Sequence, residues 1–347
     1  MIKEEQVFKN KFYKNYLIVI IQNIIMSLKE KILVTGGYGL VGMAIQTICK
    51  DYDYEFIFLD SKMCDLRNLN DTKYLFKVYN PDYVIHLAAN VGGLYKNMNQ
   101  KTEMFEDNLL INLNLIKCCH LFKVKKCVAI LSTCVFPDKV DYPINESSLH
   151  NGPPHLSNEG YAYAKRMLEI QCKLYNEQYS DNFVCVIPTN IYGPNDNFSL
   201  KDGHVIPSLI HKCYLAKKEN KPFIVKGSGT PLRQFIYSED LAKLIMIILE
   251  KYTKKESIIL SVSEQDEISI RDISELILNS NKYNNIQFDT NCSDGQYKKT
   301  ADNTRLMSFI KEKNINFNFT SIKEGIQNTV DWFNENYDNP NGSHVRK

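Results

Sequence analysis

Residues 31–42, KILVTGGYGLVG, constrain the fold more than any other stretch. Residues 32–34 are a short apolar run that reads as a strand. Gly36, Gly37, Gly39 and Gly42 follow, and apolar side chains resume at helical spacing at Met43, Ala44, Ile45 and Ile48. The order is strand, glycine turn, helix. Such a turn presents backbone N–H groups at a helix N-terminus, where the helix dipole favours an anion such as a pyrophosphate. The spacing Gly36-x-x-Gly39-x-x-Gly42 has one residue more between its first two glycines than the commonest dinucleotide fingerprint. Taken alone it also suits a plain strand-to-helix connection, so the rest of the chain has to decide.

Beyond the turn, apolar strands alternate with amphipathic helices. Strands are expected at 54–59, 83–87, 126–131 and 183–187, and helices at 68–80, 101–122 and 161–179. This alternation predicts an α/β fold, a parallel doubly wound sheet with ligands beyond the C-terminal strand ends. The Gly36 turn, Ser132 and Pro188 fall on that edge. Asp60 ends the second strand, where an acid holds an adenosine ribose. Lys62, two residues on, suits a 2′-phosphate instead, so the local charges leave NAD and NADP both open. Asp65 and Leu66 lie where an adenine would be covered. The small residues at 88–93, AANVGG, allow close approach of a nicotinamide or substrate. Asn108, inside the helix at 101–122, either faces solvent or holds a water or backbone group near the site.

The remaining elements suggest a second, smaller α/β domain over the strand ends. Helices are expected from about 204 to 218, 239 to 249, 269 to 278 and 321 to 337. Strands are expected at 223–225, 234–237, 258–262 and 286–288, with 234–237 starting a return to the main sheet. The domain boundaries follow as 26–195 with 234–265, and 196–233 with 266–338. The loop at 138–160 and the tail at 339–347 are expected to lack regular structure, the tail being frayed. Residues 1–25 are expected to be a disordered extension. A helix packed on the body and a targeting segment are the alternatives. The apolar run at 16–24 is too short to span a membrane and lacks a small-residue cleavage site.

Lys plus Arg is 42 against 40 Asp plus Glu, a net charge of +2, which gives no reason to expect a nucleic-acid partner. The 10 cysteines are scattered, without a CxxC pair. That argues against a disulfide framework or structural zinc, and for a reducing compartment.

Tyr161 and Lys165 stand four apart at a helix start and share one face. A lysine ammonium beside a phenol is expected to lower its pKa and ready Tyr161 for proton transfer near neutral pH. Ser132, at the end of the fourth strand, can share that hydrogen-bond site. A Tyr-x-x-x-Lys pair alone is commonplace; its combination with the glycine turn and Ser132 is specific.

With AANVGG at 88–93, these features resemble the extended short-chain dehydrogenase/reductase family over residues 31–337 or so. The other stretches that carry the likeness are STC at 132–134, NGPPH at 151–155, YAYAK at 161–165, GPNDNF at 193–198, HVIP at 204–207, RQFIYS at 233–238 and DGQYKK at 294–299. The resemblance implies a Rossmann-type doubly wound sheet with a smaller substrate domain. It is strongest to the branch that acts on GDP-4-keto-6-deoxy-D-mannose, epimerising C3 and C5 and then reducing C4 with NADPH. It implies NADP(H) as cofactor, held by Gly36, Tyr38, Gly39, Leu40, Val41, Gly42, Lys62, Asp65, Leu66, Leu87, Ala88, Ala89, Asn108, Tyr161, Lys165, Pro188, Asn190, Ile191 and His204.

The resemblance also implies Cys134 as base and His204 as acid on opposite faces of the sugar, Ser132 assisting Tyr161, and Lys165 on the nicotinamide ribose. Cys134 then has to be partly thiolate, favoured by a nearby imidazolium or nicotinamide cation. Asn190, Lys212, Lys226, Arg233, Asp294 and Lys299 are implied as substrate ligands, with Asp294 on the guanine edge. Close relatives often carry Trp at the position of Lys226, so a stacking contact is replaced by a cation. A cytoplasmic homodimer through the helices at 101–122 and 161–179 is implied. Another NAD(P)-dependent nucleotide-sugar epimerase or dehydratase is the alternative reading. A non-catalytic nucleotide sensor or scaffold is a distant third.

Overall fold

The structure, a computed structural model, describes residues 29–292, 294, 297–340, 342, 343, 345 and 346. The expected extension at 1–25 lies outside the described residues. Six strands build the main sheet: β1 (Lys31–Thr35), β2 (Glu55–Leu59), β3 (Tyr83–His86), β4 (Lys126–Ile130), β5 (Phe183–Pro188) and β10 (Ile258–Leu260). Their order is β2-β1-β3-β4-β5-β10, and every pair is parallel. β1 feeds β2 on one side, and the chain then crosses to β3 on the other. The sheet therefore has its switch point between β1 and β3, where ligands of such sheets bind. β4 and β5 are buried along their whole length, as strands covered on both faces must be.

Helices α1 (Leu40–Ile48), α7 (Ser238–Lys251) and α9 (Thr304–Glu312) cover one face, packing Ile45, Ile245 and Phe309 with Ile32 and Val184. Helices α2 (Leu69–Tyr79), α4 (Lys101–Leu121) and α5 (Glu159–Tyr179) cover the other, where Phe76, Leu115 and Leu168 meet Leu33 and Ala129. A short α3 (Leu94–Asn99) precedes α4. Lys126, buried in β4, donates to the C=O groups of Ile248 and Tyr252 at 2.5 and 2.6 Å. It thereby caps the C-terminus of α7, where a cation meets the negative end of the helix dipole.

A third core joins α6 (Val205–Lys218), α8 (Ile270–Ser280) and α10 (Ile322–Asn336) with three two-stranded ribbons. The ribbons pair β6 (Asn190–Tyr192) with β9 (Phe235–Tyr237), β7 (Phe223–Lys226) with β12 (Ile286–Asp289), and β8 (Leu232–Arg233) with β11 (Ile268–Ser269).

Three expectations change, and one open point closes. The strand at 234–237 does not enter the main sheet; β9 pairs with β6, and the return comes through α7 and β10. Residues 304–319 do not belong with the second lobe. Leu306, Phe309 and Ile310 pack on the main sheet, and Ile315, Phe317 and Phe319 follow them. The described part of the tail is not frayed, because Val345 is buried in the third core and Arg346 C=O accepts Phe198 N–H at 2.8 Å. The loop at 138–160, whose flexibility the sequence leaves open, is pinned at two points. Ile144 bridges to Ala301, and Ile259 N–H donates to Glu146 Oε1 at 2.9 Å.

Candidate active site

The glycine turn shapes the crevice at the switch point. Gly36 has φ +67°, and a Cβ there would lie 2.9 Å from Ala88 N. A Cβ on Gly42 would lie 2.4 Å from the Gly37 carbonyl. Both positions thus require glycine for the turn to sit against β3 and for α1 to start so close. Gly39 is the N-cap of α1; no side chain caps it, and the first turn carries no acid. By contrast, Asn68, Ser269 and Ser321 cap α2, α8 and α10 with their side chains. The open N–H groups of Leu40, Val41 and Gly42 fit an anionic pyrophosphate. Tyr38 is 55% exposed beside them.

Asp60 Oδ1 accepts the N–H groups of Lys62 and Met63 at 2.8 and 3.0 Å. That carboxylate is occupied by its own turn, while Lys62 is exposed. Asp65 holds Arg67, whose guanidinium pulls the carboxyl below its usual range, and Arg67 also reaches Asp107 at 3.0 Å. Leu66 is buried, its C=O bound by Asn114 at 2.9 Å. Asn108 is fully buried. It accepts Asn90 N–H at 2.8 Å and donates to Asn90 O at 2.9 Å and Met104 O at 2.7 Å. It thereby shapes the loop after β3. Leu87 N–H meets Thr35 O at 3.2 Å, and Ala88 N–H meets Thr35 Oγ1 at 3.2 Å. Asn190 Nδ2 donates to Gln234 O at 2.8 Å, tying the β6 and β9 ends beside Pro188 and Ile191.

The sequence reading missed a buried relay beneath this crevice. Thr35 Oγ1 lies 2.8 Å from His86 Nδ1, and His86 Nε2 lies 3.0 Å from Asn112 Oδ1. Asn112 Nδ2 donates to Ala164 O at 3.3 Å. Because Asn112 Nδ2 donates to Ala164 O, its Oδ1 faces His86 as an acceptor and the ring proton lies on Nε2; Nδ1 of the neutral ring then accepts from Thr35 Oγ1. Burial, helped by Lys165, pushes His86 down to about 3, so it stays neutral. A polar residue in an otherwise apolar strand was the available signal.

Ser132, Cys134, Tyr161 and Lys165 converge beyond β4. Ser132 caps the 3-10 turn Thr133–Val135 and accepts Cys134 N–H at 3.5 Å. Arg166 braces this turn by donating to Val135 O at 2.6 Å and Gly152 O at 2.7 Å. Lys165 is fully buried, donates to Ile130 O at 2.9 Å, and stands 5.8 Å from the Tyr161 ring centroid. Cys134 and Tyr161 remain accessible to solvent although protein encloses them on most sides, as in a deep cleft.

The electrostatics differ from expectation. Burial pushes Lys165 down to about 8. Burial, with Cys134 adding, raises Tyr161 above its ordinary value. Desolvation of the phenolate outweighs the lysine's charge. Burial also raises Cys134, against which Ser132, Lys299 and Lys165 act. Lys299 and Lys165 thus favour the thiolate, with Arg166 close by. His204 forms the N-cap of α6; it keeps an open path to solvent although protein surrounds it on most sides, and that enclosure lowers its pKa. Its imidazole makes no hydrogen bond among the described residues. Its loop closes on AANVGG, since a Cβ on Gly93 would lie 3.1 Å from Asp202 O.

The candidate substrate ligands divide into two groups. Lys299 lines a cavity with Cys134, and burial lowers its pKa, with Arg233 adding to the effect. Arg233 Nη1 donates to Leu232 O at 2.6 Å, and burial lowers its pKa. Lys212 is lowered by burial and then by Lys226, so these two cations form a second pair on α6 and β7. Asp294 is occupied, because Ser228 N–H and Oγ donate to its carboxylate at 2.9 and 2.6 Å.

The NAD dependent epimerase/dehydratase family matches residues 32–262. A GDP-L-fucose synthase of Dictyostelium discoideum is 51% identical over 314 residues, 89% of this chain and 97% of that one. A probable GDP-L-fucose synthase of Drosophila melanogaster is 44% identical, over 89% of this chain and 98% of that one. The crystal structure of a GDP-L-fucose synthetase from Naegleria fowleri bound to NADP superposes with a TM-score of 0.85 at 47% identity. The match covers 92% of this chain and 95% of that chain.

Proposed function

Because the chain belongs to the NAD dependent epimerase/dehydratase family and, within it, to the GDP-L-fucose synthases, we propose that it makes GDP-L-fucose from GDP-4-keto-6-deoxy-D-mannose. The observation that carries this reading is the meeting of Ser132, Cys134, Tyr161 and Lys165 beyond β4, below an uncapped helix N-terminus. NADPH, when bound, supplies the hydride for C4.

The chain's own groups do the rest. The ketone at C4 acidifies C3 and C5. Cys134 as thiolate removes a proton from one face, and His204 returns one to the other; the pair then acts at the second carbon. Ser132 and Tyr161 hydrogen-bond the C4 oxygen while charge develops on it. Tyr161 finally gives that oxygen its proton. Lys165, anchored on Ile130 O, orients Tyr161 and the cofactor ribose. Lys212, Lys226, Arg233 and Lys299 supply positive charge for the diphosphate, and Arg233 suits bidentate contact. Asp294 reaches guanine only if its bonds to Ser228 are exchanged.

We assign the cofactor half to residues 26–195 and 234–265 together with 304–319, and the nucleotide-sugar half to the rest of 196–338. A homodimer through α4 and α5 is proposed because Leu110, Leu113, Tyr163, Met167 and Leu174 are between 37% and 55% exposed there. Ten unpaired cysteines suit a reducing cytoplasm, and no described helix is long and apolar enough to cross a membrane. Incubation with GDP-4-keto-6-deoxy-D-mannose in deuterated buffer should consume NADPH and leave deuterium at C3 and C5. NADPH consumption without that label would reduce the activity to a 4-reductase.

A further inference from the structure

Two neighbouring lysines close the chain's path past Cys134, and they have opposite fates. Lys298 points outward, bonded to Glu264 at 2.8 Å and paired with Glu267 at 3.3 Å. Lys299, on the opposite side of this extended stretch, points inward and makes no salt bridge within 4.0 Å among the described residues. The backbone gives it little freedom. Ile144 N–H donates to Thr300 O at 2.9 Å, and Ala301 N–H donates to Gln234 Oε1 at 2.8 Å. Gln234, buried, returns a bond to Ala301 O at 3.1 Å and holds Val262 O at 2.9 Å. Lys299 is therefore a pre-placed, nearly enclosed cation.

What it faces is the thiol. Lys299 and Cys134 line one cavity of about 20 Å³, room for roughly a single water. Asp138 and His155 stand at the same cavity, and His155 Nε2 is 3.9 Å from Asp138 Oδ1. The other groups around Cys134 have separate duties: Lys165 is bonded to Ile130 O, Arg166 to Val135 O and Gly152 O, and Tyr161 serves the sugar oxygen.

The reaction proposed above makes an unusual demand. One base must be ready twice in a single turnover, once for each carbon. Burial works against this, since it favours the thiol over the thiolate. The enclosed ammonium of Lys299 is lowered by the same burial, and each group favours the other's charged form. Between the two abstractions the S–H bond breaks and its proton leaves through the cavity water to solvent, while His204 takes one proton back from solvent, so that net charge is restored. The Lys299 ammonium, keeping its own protons, stabilises the thiolate that remains.

We propose that Lys299 is the ionic partner that keeps Cys134 a base, and not only a ligand of the nucleotide. This rests on Cys134 being the epimerisation base. Lys299 acts through the thiol and is thus a positioning residue. The contrast with Lys298 supplies the control.

The test reads the thiol without substrate. The full-length enzyme is alkylated with iodoacetamide across pH 6 to 10 or so, and the Cys134 peptide is followed by mass spectrometry. The K299M variant should move the midpoint of Cys134 alkylation up by about one unit and slow it roughly tenfold near pH 7. K299R should stay near wild type, as should K298M. NADPH binding checks the fold of each variant, and K299Q carries the same expectation if K299M fails that check. An unshifted Cys134 profile in the folded variant, with a raised KM for the GDP-sugar, would leave Lys299 a substrate ligand and overturn the proposal. Because no sugar is present, that result is separate from the product analysis that tests the overall reaction.

Discussion

The two ends of the cleft hold their charged groups in opposite ways. At the sheet end the buried polar groups are tied down by the protein itself. Lys165 is bonded to Ile130 O, Asn108 to Asn90, and His86 to both Thr35 and Asn112. At the lobe end the cations are left loose. Lys226 is exposed, Lys212 repels it, and Arg233 bonds backbone carbonyls next to its own strand. Unpaired cations that repel one another favour an anion brought from outside. The first end is preorganised for chemistry, where misplacement costs rate. The second is poised for recognition, where loss of a contact costs affinity.

The largest effect should come from the sheet end. The C134S variant should lose deuterium incorporation at C3 and C5 by roughly 10²- to 10⁴-fold, as loss of a general base does. Its NADPH affinity should match wild type in a fluorescence titration. Retained exchange would remove the thiol from the reaction and blur the contrast. Next, R233A should raise KM for the GDP-sugar about 10- to 100-fold, as expected for a charged hydrogen-bond donor, with kcat nearly unchanged. If kcat falls in step with kcat/KM, Arg233 serves the transition state and the division between the two ends fails.

A matched pair of glycines sharpens the division. Gly36 has φ +67° and touches Ala88; Gly229 has φ +80°, and a Cβ there would lie 2.8 Å from Phe288. Alanine at either position should cost about 1–3 kcal/mol of local strain. G36A should weaken NADPH binding and spare the KM of the sugar nucleotide. G229A should do the reverse, measured by the same titration and by steady-state kinetics. One variant disturbing both ligands would mean that the ends are mechanically coupled.

Legibility follows the same divide. The glycine turn, the alternating strands and Tyr161-x-x-x-Lys165 are local patterns that a sequence displays directly, whereas the role of Cys134 enters only through the family resemblance. The ribbons of the lobe are two to four residues long and pair over large separations, as with Phe223 opposite Ile286. No periodicity announces such pairs, and β9 was therefore assigned to the wrong sheet. Residues 304–319 resembled the lobe because they follow it in the chain. Only packing against Ile45 and Ile245 reveals the face they cover. The electrostatics were misjudged for another reason: charge neighbours are visible in a sequence, whereas the burial that raises Tyr161 and Cys134 is not.

The seam between the two ends offers the smallest effect and a test by pH. Asp196 is 4% exposed, and its Oδ1 accepts Asn197 N–H at 2.6 Å. Its Oδ2 has no partner among the described residues. Burial lifts the carboxyl to about 7 from the usual 3.8, against the pull of Arg346. A folded pKa above the unfolded one gives stability that is full below pH ~4 and is lost as pH rises through about 7. A shift of three units is worth about 4 kcal/mol. The D196N variant removes that loss above pH 7, but its NH₂ group takes the unpartnered position at a cost of about 1–3 kcal/mol. A net gain on the order of 1 kcal/mol is expected in urea denaturation at pH 8, shrinking or reversing at pH 5. An equal gain at both pH values would show that Asp196 is not charged against its surroundings. The tail would then hold residues 195–198 through its hydrogen bonds to Phe198 and Asn195, without a charge contribution from Asp196.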